Sequence, residues 1–122
     1  MSGDKFFEHM NIEFDRSDPD KTAVAVDVQE CHLNVNKVVH GSVIHALLDT
    51  SMGLECFRAN ERQAVATVEI TVRYLKPVFD GRLEARATVI KRGKRVLVVE
   101  SRVTRGDDVV ATGQATFVPI NR

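Results

Sequence analysis

Residues 32–57 read HLNVNKVVHGSVIHALLDTSMGLECF, and the second half of this stretch predicts the one long helix of the chain. At about 100° per residue, apolar side chains cover most of the circumference between residues 43 and 57. They are Val43, Ile44, Ala46, Leu47, Leu48, Met52, Leu54 and Phe57. A helix that is apolar nearly all round is usually a buried one. We therefore expect this helix to lie in the core.

Asp49 is the residue of this helix that burial does not explain. It falls on a narrow stripe of the helix together with Ser42, His45, Gly53 and Cys56. A carboxylate inside a buried helix costs free energy unless it is paired or takes part in chemistry. Asp49 is therefore the first candidate for a catalytic residue. The alternative is a buried acid that is satisfied by hydrogen bonds at a subunit contact.

The composition indicates an ordinary cytoplasmic protein. The chain of 122 residues is long enough for one domain, spanning 1–122, whose core needs neither disulfides nor metal. Lys and Arg number 17, as do Asp and Glu, which does not favour nucleic acid or an anionic membrane as a partner. Cys31 and Cys56 are too few for a disulfide framework and suggest a reducing compartment. The sequence shows no apolar run typical of a signal peptide or a membrane span.

The residues before the helix predict a short helical lead-in and a hairpin. Residues 5–9 form the lead-in, and apolar and polar residues alternate from 10 to 14 as in a strand. The run RSDPD at 16–20 is typical of a turn. Alternation resumes at 22–28, which predicts the second strand.

Four strand patterns separated by turns follow the helix. We predict the strands at residues 66–74, 83–89, 95–104 and 109–119, with turns at 76–77, 80–81, 91–94 and 106–108. In the first of them Ala66, Val68, Ile70, Val72 and Tyr74 share one face. The fold class is therefore α+β, with one long buried helix wrapped by a six-stranded antiparallel sheet, because a flat sheet covers only part of such a helix.

This arrangement resembles the hotdog fold, and the motifs resemble the phenylacetate-pathway type of hotdog acyl-CoA thioesterase. The resemblance covers residues 6 to 119 and rests on His32-x-Asn34, His40-Gly41-Ser42, Leu47-x-Asp49, Thr67, Tyr74-Leu75-x-Pro77, Gly81-x-Leu83-x-Ala85 and Lys91-Arg92-Gly93-Lys94. Ser42 departs from the family, which usually has a second glycine there. Serine is favourable at a helix start, so we expect little effect on the fold.

The resemblance implies hydrolysis of a CoA thioester to a carboxylic acid and free CoA, with no cofactor because CoA is part of the substrate. It assigns the Gly41 N–H and the Asn34 side chain to the polarisation of the thioester carbonyl. Asp49 is then the general base or the nucleophile, and Thr67 helps to hold the water. The plainer alternatives are a tight turn at Gly41, a loop cap at Asn34 and an ordinary strand threonine at Thr67.

The helix geometry adds a requirement for a homodimer. Gly41 and Asp49 are eight positions apart, about 12 Å along one helix. Both cannot reach the same carbonyl carbon. We therefore expect each site to combine Gly41 of one protomer with Asp49 and Thr67 of another, as in resembling proteins, which often assemble further into tetramers.

Other polar residues are candidates for substrate binding. His45 lies four positions before Asp49, so the two side chains can touch, and Ser42 shares their stripe. His40 belongs to the helix-start motif and is expected to structure the loop. The phosphates of CoA would meet surface cations, for which Arg73, Lys76, Lys91, Arg92 and Lys94 are candidates; for any single one, a solvated surface charge is the alternative.

Two other functions are compatible with the fold. A non-catalytic acyl-CoA-binding domain would tolerate loss of the acid, but Asp49 is present. A hydratase or dehydratase needs a catalytic histidine paired with the acid, and Asn34 stands where a donor is wanted. No zinc spacing, glycine-rich phosphate loop or serine triad context occurs. The acyl group, whether aryl, short aliphatic or long, is not encoded in these motifs.

Overall fold

The computed structural model describes residues 4–18 and 22–120. The elements are α1 (Lys5–Met10), β1 (Glu13–Asp15), β2 (Ala23–Asp27), a 3-10 turn (Glu30–His32), α2 (Gly41–Ala59), β3 (Val65–Tyr74), β4 (Arg82–Arg92), β5 (Leu97–Arg105) and β6 (Asp108–Pro119). The predicted order of two strands, a long helix and four strands is confirmed. Part of the predicted turn at 16–20 falls on residues 19–21, outside the described residues.

The strands form one six-stranded antiparallel sheet in the order β1-β2-β4-β5-β6-β3. Helix α2 packs against β2, β3, β4, β5 and β6. The sheet therefore curves around α2 in the predicted hotdog arrangement, and β1 and β3 are its edge strands. No helix of the described residues is long and apolar enough to cross a membrane.

One side of α2 makes the core, and the other side is only half covered. The buried residues of α2 are Val43, Ile44, Leu47, Leu48, Ser51, Met52 and Cys56. They pack with buried sheet residues such as Leu83, Val99 and Phe117. His45, Asp49 and Gly53 are only half-buried. The expectation of a helix buried on nearly all sides is wrong for one protomer, because the curved sheet encloses less than the full circumference.

Helix α1 extends further than the alternating pattern predicted. Asp4 caps it by accepting a hydrogen bond from the Phe7 N–H at 3.2 Å, and Asn11 ends it with φ of 57°. Met10 therefore belongs to α1 and not to the first strand, which is limited to Glu13–Asp15. A residue with positive φ interrupts an extended backbone, so alternation across Asn11 was misleading.

Bulges explain two exposed apolar residues. The pairing of β3 with β6 shifts between Thr67 and Glu69, and Val68 is 60% exposed. The pairing of β4 with β5 shifts in the same way before Lys91, next to the exposed Ile90. A bulge inserts one residue and turns its side chain out of the regular alternation. The predicted single face from Ala66 to Tyr74 is therefore broken at Val68.

Candidate active site

Asp49 is held by a hydroxyl from the sheet. The Thr67 Oγ1 donates to Asp49 Oδ1 at 2.8 Å. Asp49 is half-buried in the middle of α2, while Thr67 is exposed immediately before the bulge of β3. Within residues 4–18 and 22–120 no other donor reaches this carboxylate, so Oδ2 is left as an acceptor. Thr67 can therefore orient the carboxylate through Oδ1, while Oδ2 can accept a proton.

The start of α2 presents two backbone donors. His40 is the N-cap, makes no side-chain cap, and its carbonyl accepts from the Val43 N–H at 3.1 Å. In the described part of the chain, the N–H groups of Gly41 and Ser42 meet no acceptor. The first N–H groups of a helix lack intrahelical partners and lie at the positive end of its dipole. Ser42 lies inside the first turn with an exposed side chain and does not cap the helix.

Tyr74 packs on Gly41 at this helix start. The Tyr74 Oη donates to the Gly41 carbonyl oxygen at 3.0 Å. A Cβ on Gly41 would come within 3.2 Å of the tyrosine ring. Together with Val38 and Leu75, the two residues line a depression of about 300 Å³. A larger residue at position 41 would have to displace the ring.

Asn34 stabilises its own loop through one atom of its amide. Its Oδ1 accepts from the N–H groups of Asn36 at 2.8 Å and of Val38 at 3.2 Å. Two backbone donors at one atom identify that atom as the oxygen, because an amide NH₂ cannot accept them. The Nδ2 remains as a donor. Asn34 is therefore a loop cap, and it also keeps the donor that the resemblance requires.

His32 connects the elements that surround this loop, and sequence reasoning gave it no role. It is completely buried. Its Nδ1 accepts from the Gln29 N–H at 2.9 Å, so the proton must sit on Nε2, which donates to the Met10 carbonyl at 2.7 Å. Its own carbonyl accepts from the His40 N–H at 2.9 Å. The only sequence signal was its place in the His32-x-Asn34 motif.

Within one protomer the candidate residues form two separate groups. Gly41 and Asn34 belong to the start of α2 and the loop before it, whereas Asp49 contacts Thr67. Gly41 and Asp49 lie in the same continuous helix, so about 12 Å of helical rise separates them. The chain alone therefore does not bring the predicted catalytic residues together.

The predicted substrate-binding residues are distributed more widely. His45 is half-buried, and no ion pair joins it to Asp49 within the described residues. His40 is exposed. Lys76 is paired with Asp108 at 3.2 Å and Arg92 with Glu61 at 3.9 Å.

Three of the predicted phosphate-binding cations remain available. Arg73, Lys91 and Lys94 are exposed, and none has an ion pair with a described residue. Arg73 lies near the end of β3 that contacts Gly41. Lys91 and Lys94 lie in the β4–β5 hairpin, beside the Arg92 that reaches Glu61 just beyond the end of α2. The cations thus fall at two opposite ends of the protomer.

A groove of about 610 Å³ runs beside α2 and reaches Thr50, the residue after Asp49. On α2 it is lined by Thr50, Gly53, Leu54 and Phe57, with Val65 at the start of β3, Phe7 of α1 and three arginines, Arg16, Arg58 and Arg62. Its lining therefore combines apolar side chains with charged ones. Such a groove suits an apolar group attached to a carbonyl near Asp49.

Cys56 lies on the same helical stripe as Asp49 but is not a nucleophile in this state. Burial, with a smaller contribution from the neighbouring Glu55 charge, raises the pKa of the Cys56 thiol to about 11. A thiol attacks as its thiolate, which this environment suppresses at neutral pH. No group of three or more potential metal ligands occurs in the described chain.

Known proteins with similar sequences and structures bear on this site. Residues 36–112 match the profile of the family described as the Thioesterase superfamily. A Bacillus halodurans protein, solved with CoA, is 27% identical, with 99% of this chain and 82% of that chain covered and a TM-score of 0.92. A Haemophilus influenzae thioesterase is 26% identical, with 98% and 85% covered and a TM-score of 0.88. The PaaI protein of Escherichia coli shares the fold at 24% identity, with 98% and 86% covered and a TM-score of 0.85.

Proposed function

The chain belongs to the thioesterase superfamily, and we propose that this thioester hydrolase converts acyl-CoA and water to a carboxylic acid and free CoA. The observation that carries the proposal is the Asp49 carboxylate, fixed through Oδ1 by Thr67 and open at Oδ2. A positioned carboxylate of this kind can serve as a general base for water. The CoA bound to the Bacillus halodurans protein supports CoA as the thiol part of the substrate.

In the proposed reaction Asp49 removes a proton from water as the oxygen attacks the thioester carbonyl carbon. Negative charge develops on the carbonyl oxygen, and the Gly41 N–H and Asn34 Nδ2 donate hydrogen bonds to it. Donors arranged before the reaction stabilise such an oxyanion without reorganisation. Collapse breaks the carbon–sulfur bond, and the CoA thiolate leaves and takes up a proton. Direct attack by Asp49, through an acyl anhydride, is the other route that this carboxylate allows.

The separation of Gly41 from Asp49 leads us to propose a homodimer in which each site draws on both protomers. Strand β3 supports this, because it is a ten-residue edge strand and exposes Val68 by 60%. An unpaired edge of this length is a template for pairing with another strand. Antiparallel pairing of two β3 strands would place Tyr74, and with it Gly41, opposite the partner's Thr67 and Asp49.

We propose that the acyl group occupies the groove beside Asp49 and that the CoA phosphates meet Arg73, Lys91 and Lys94. Leu54, Phe57 and the other apolar walls favour an aryl or medium-length aliphatic acyl group over acetyl. In the β3-paired dimer, Arg73 of one protomer lies on the same side as the partner's basic hairpin. One phosphate site would then combine Arg73 of one protomer with Lys91 and Lys94 of the other.

The test is release of free thiol from phenylacetyl-CoA, benzoyl-CoA and a series of straight-chain acyl-CoAs. We expect turnover by the wild-type protein, highest for aryl or medium-length acyl groups, and its loss in Asp49→Asn. Binding of these compounds without thiol release would contradict the proposal and favour an acyl-CoA-binding domain.

A further inference from the structure

Tyr74 contacts Gly41 in two independent ways at the start of α2. Its hydroxyl donates to the Gly41 carbonyl oxygen at 3.0 Å, and its ring fills the space where a Cβ of residue 41 would stand. It is the only tyrosine of the chain. We propose that Tyr74 is a positioning residue that fixes the first residue of α2, Gly41, whose N–H is the proposed oxyanion donor, an inference that rests on the proposed thioesterase function.

The hydrogen bond acts through the planarity of the peptide unit. The Gly41 carbonyl belongs to the same planar peptide as the Ser42 N–H, so a bond to the oxygen also sets the direction of that N–H. Glycine has the widest conformational range of any residue. The first peptides of a helix are also held on one side only, because their N–H groups lack helical acceptors. Tyr74 therefore restrains the first peptide of α2, which the helix itself holds only on one side.

The Tyr74 ring explains why residue 41 is a glycine, and it also shapes the depression next to that residue. Atoms of the tyrosine ring and hydroxyl lie 3.2–3.4 Å from the position of a Cβ on Gly41, closer than ordinary van der Waals contact. The ring thus forms one wall of the 300 Å³ depression that Gly41 also lines.

Removal of the hydroxyl alone tests the hydrogen bond. In Tyr74→Phe we expect kcat to fall about tenfold, the loss of one well-placed hydrogen bond, with KM and the thermal midpoint little changed. A matched control is Thr104→Val, which removes a hydroxyl from β5 away from the site and should leave kcat unchanged. A lower thermal midpoint with normal kcat would show a purely structural role and overturn the proposal.

The carbonyl stretch of a bound substrate provides a readout that protein stability does not affect. Acyl-CoA labelled with ¹³C at the carbonyl is bound to Asp49→Asn and to Asp49→Asn/Tyr74→Phe, and isotope-edited infrared spectra are recorded. Donors aimed at the carbonyl oxygen lower the stretching frequency relative to free acyl-CoA, and we expect a smaller lowering in the double variant. Equal frequencies in the two variants would overturn the proposal.

These outcomes separate the two levels of inference. If the wild-type protein releases no thiol from any acyl-CoA, the proposed function fails. If the wild-type protein is active, Asp49→Asn is inactive and Tyr74→Phe matches the wild type, only the role of Tyr74 fails.

Discussion

Thr67 donates a hydrogen bond to Asp49 from strand β3 to helix α2, with 2.8 Å between Oγ1 and Oδ1. The donor lies at the residue before a β-bulge, and the acceptor lies on the side of the helix that the sheet leaves half open. The bond orients a carboxylate that remains accessible to a ligand.

Replacement of Asp49 by Asn should abolish most of the activity and leave the fold intact. The amide has nearly the same volume and can still accept from Thr67, but it cannot remove a proton from water. General-base catalysis contributes about 10²–10⁴-fold, so we expect kcat to fall within that range. Thiol release and thermal unfolding measure the two effects. Near-normal turnover by a folded variant would remove Asp49 from the mechanism.

Replacement of Thr67 by Val should lower kcat by about tenfold, the effect of one hydrogen bond to a charged group. The carboxylate would lose its fixed orientation. Thr67→Ser retains the hydroxyl and should recover most of the rate. Equal activity of the Val and Ser variants would show that Thr67 is an ordinary strand residue.

The two cysteines should differ in reactivity. Cys31 is exposed and Cys56 is buried, and burial raises the pKa of Cys56 to about 11. At pH 8 we expect Ellman's reagent to label one thiol in the native protein and two after denaturation. Cys31→Ser should then show no rapid labelling in the native state. Rapid labelling of Cys56 would indicate that α2 opens readily from the sheet.

Arg82 should stabilise the β1–β2–β4 end of the sheet in a pH-dependent way. It contacts carboxylates of Glu13, Asp15, Asp27 and Glu84 at 2.6–3.3 Å. Hydrogen bonds from Ser17, followed by the contact with Arg82, hold the pKa of Asp15 below its usual 3.8. A lowered carboxyl pKa contributes stability above the unfolded pKa, and that stability is lost as the pH falls through the folded value.

Arg82→Met should therefore lower the urea midpoint at pH 7, because Glu13, Asp15 and Asp27 would lose their cation and Glu84 would keep only Arg86. The difference from wild type should shrink below about pH 4, as the carboxylates become protonated. Lys76→Met, which removes an exposed cation with a single acidic partner, is the control and should change the midpoint little. A difference that is independent of pH would point to lost packing instead of charge.

Much of the fold could be predicted because the patterns are strong. The apolar surface of residues 43–57 identified α2, and alternation identified the strands after it. Met10 and Val68 were placed wrongly because a positive φ at Asn11 and a bulge after Thr67 change the phase of the alternation, and neither leaves a clear sequence signal. The half-open side of α2 was missed because the apolar pattern of the helix does not show how far the sheet extends around it.

Only part of the candidate site could be predicted, because motifs do not reveal contacts between distant residues. Motifs named Asp49, Gly41, Asn34 and Thr67, but the contacts of His32 and Tyr74 join residues far apart in sequence. Helical spacing allowed contact between His45 and Asp49, yet the structure forms no ion pair between them. Spacing fixes which residues share a face and leaves open which side-chain conformations they adopt.

We expect Gly41 and Asp49 to act together across a dimer. Two inactive parents test it: Asp49→Asn, and Gly41→Pro, which removes the proposed N–H at the first helical position, where proline is tolerated. His40 already has the extended backbone (ψ 135°) that precedes proline. Gly41→Ala is the matched control, since it introduces the same Cβ beside Tyr74 and keeps the N–H.

The decisive measurement is the activity of heterodimers of Asp49→Asn and Gly41→Pro, isolated with two different affinity tags. If each site takes Gly41 from one protomer and Asp49 from the other, both lesions fall in one site and the second site is intact. We predict activity of about half of wild type per heterodimer, because one site in two works. Folded heterodimers, confirmed by mass, that remain as inactive as their parents would show that Gly41 and Asp49 do not meet across the interface.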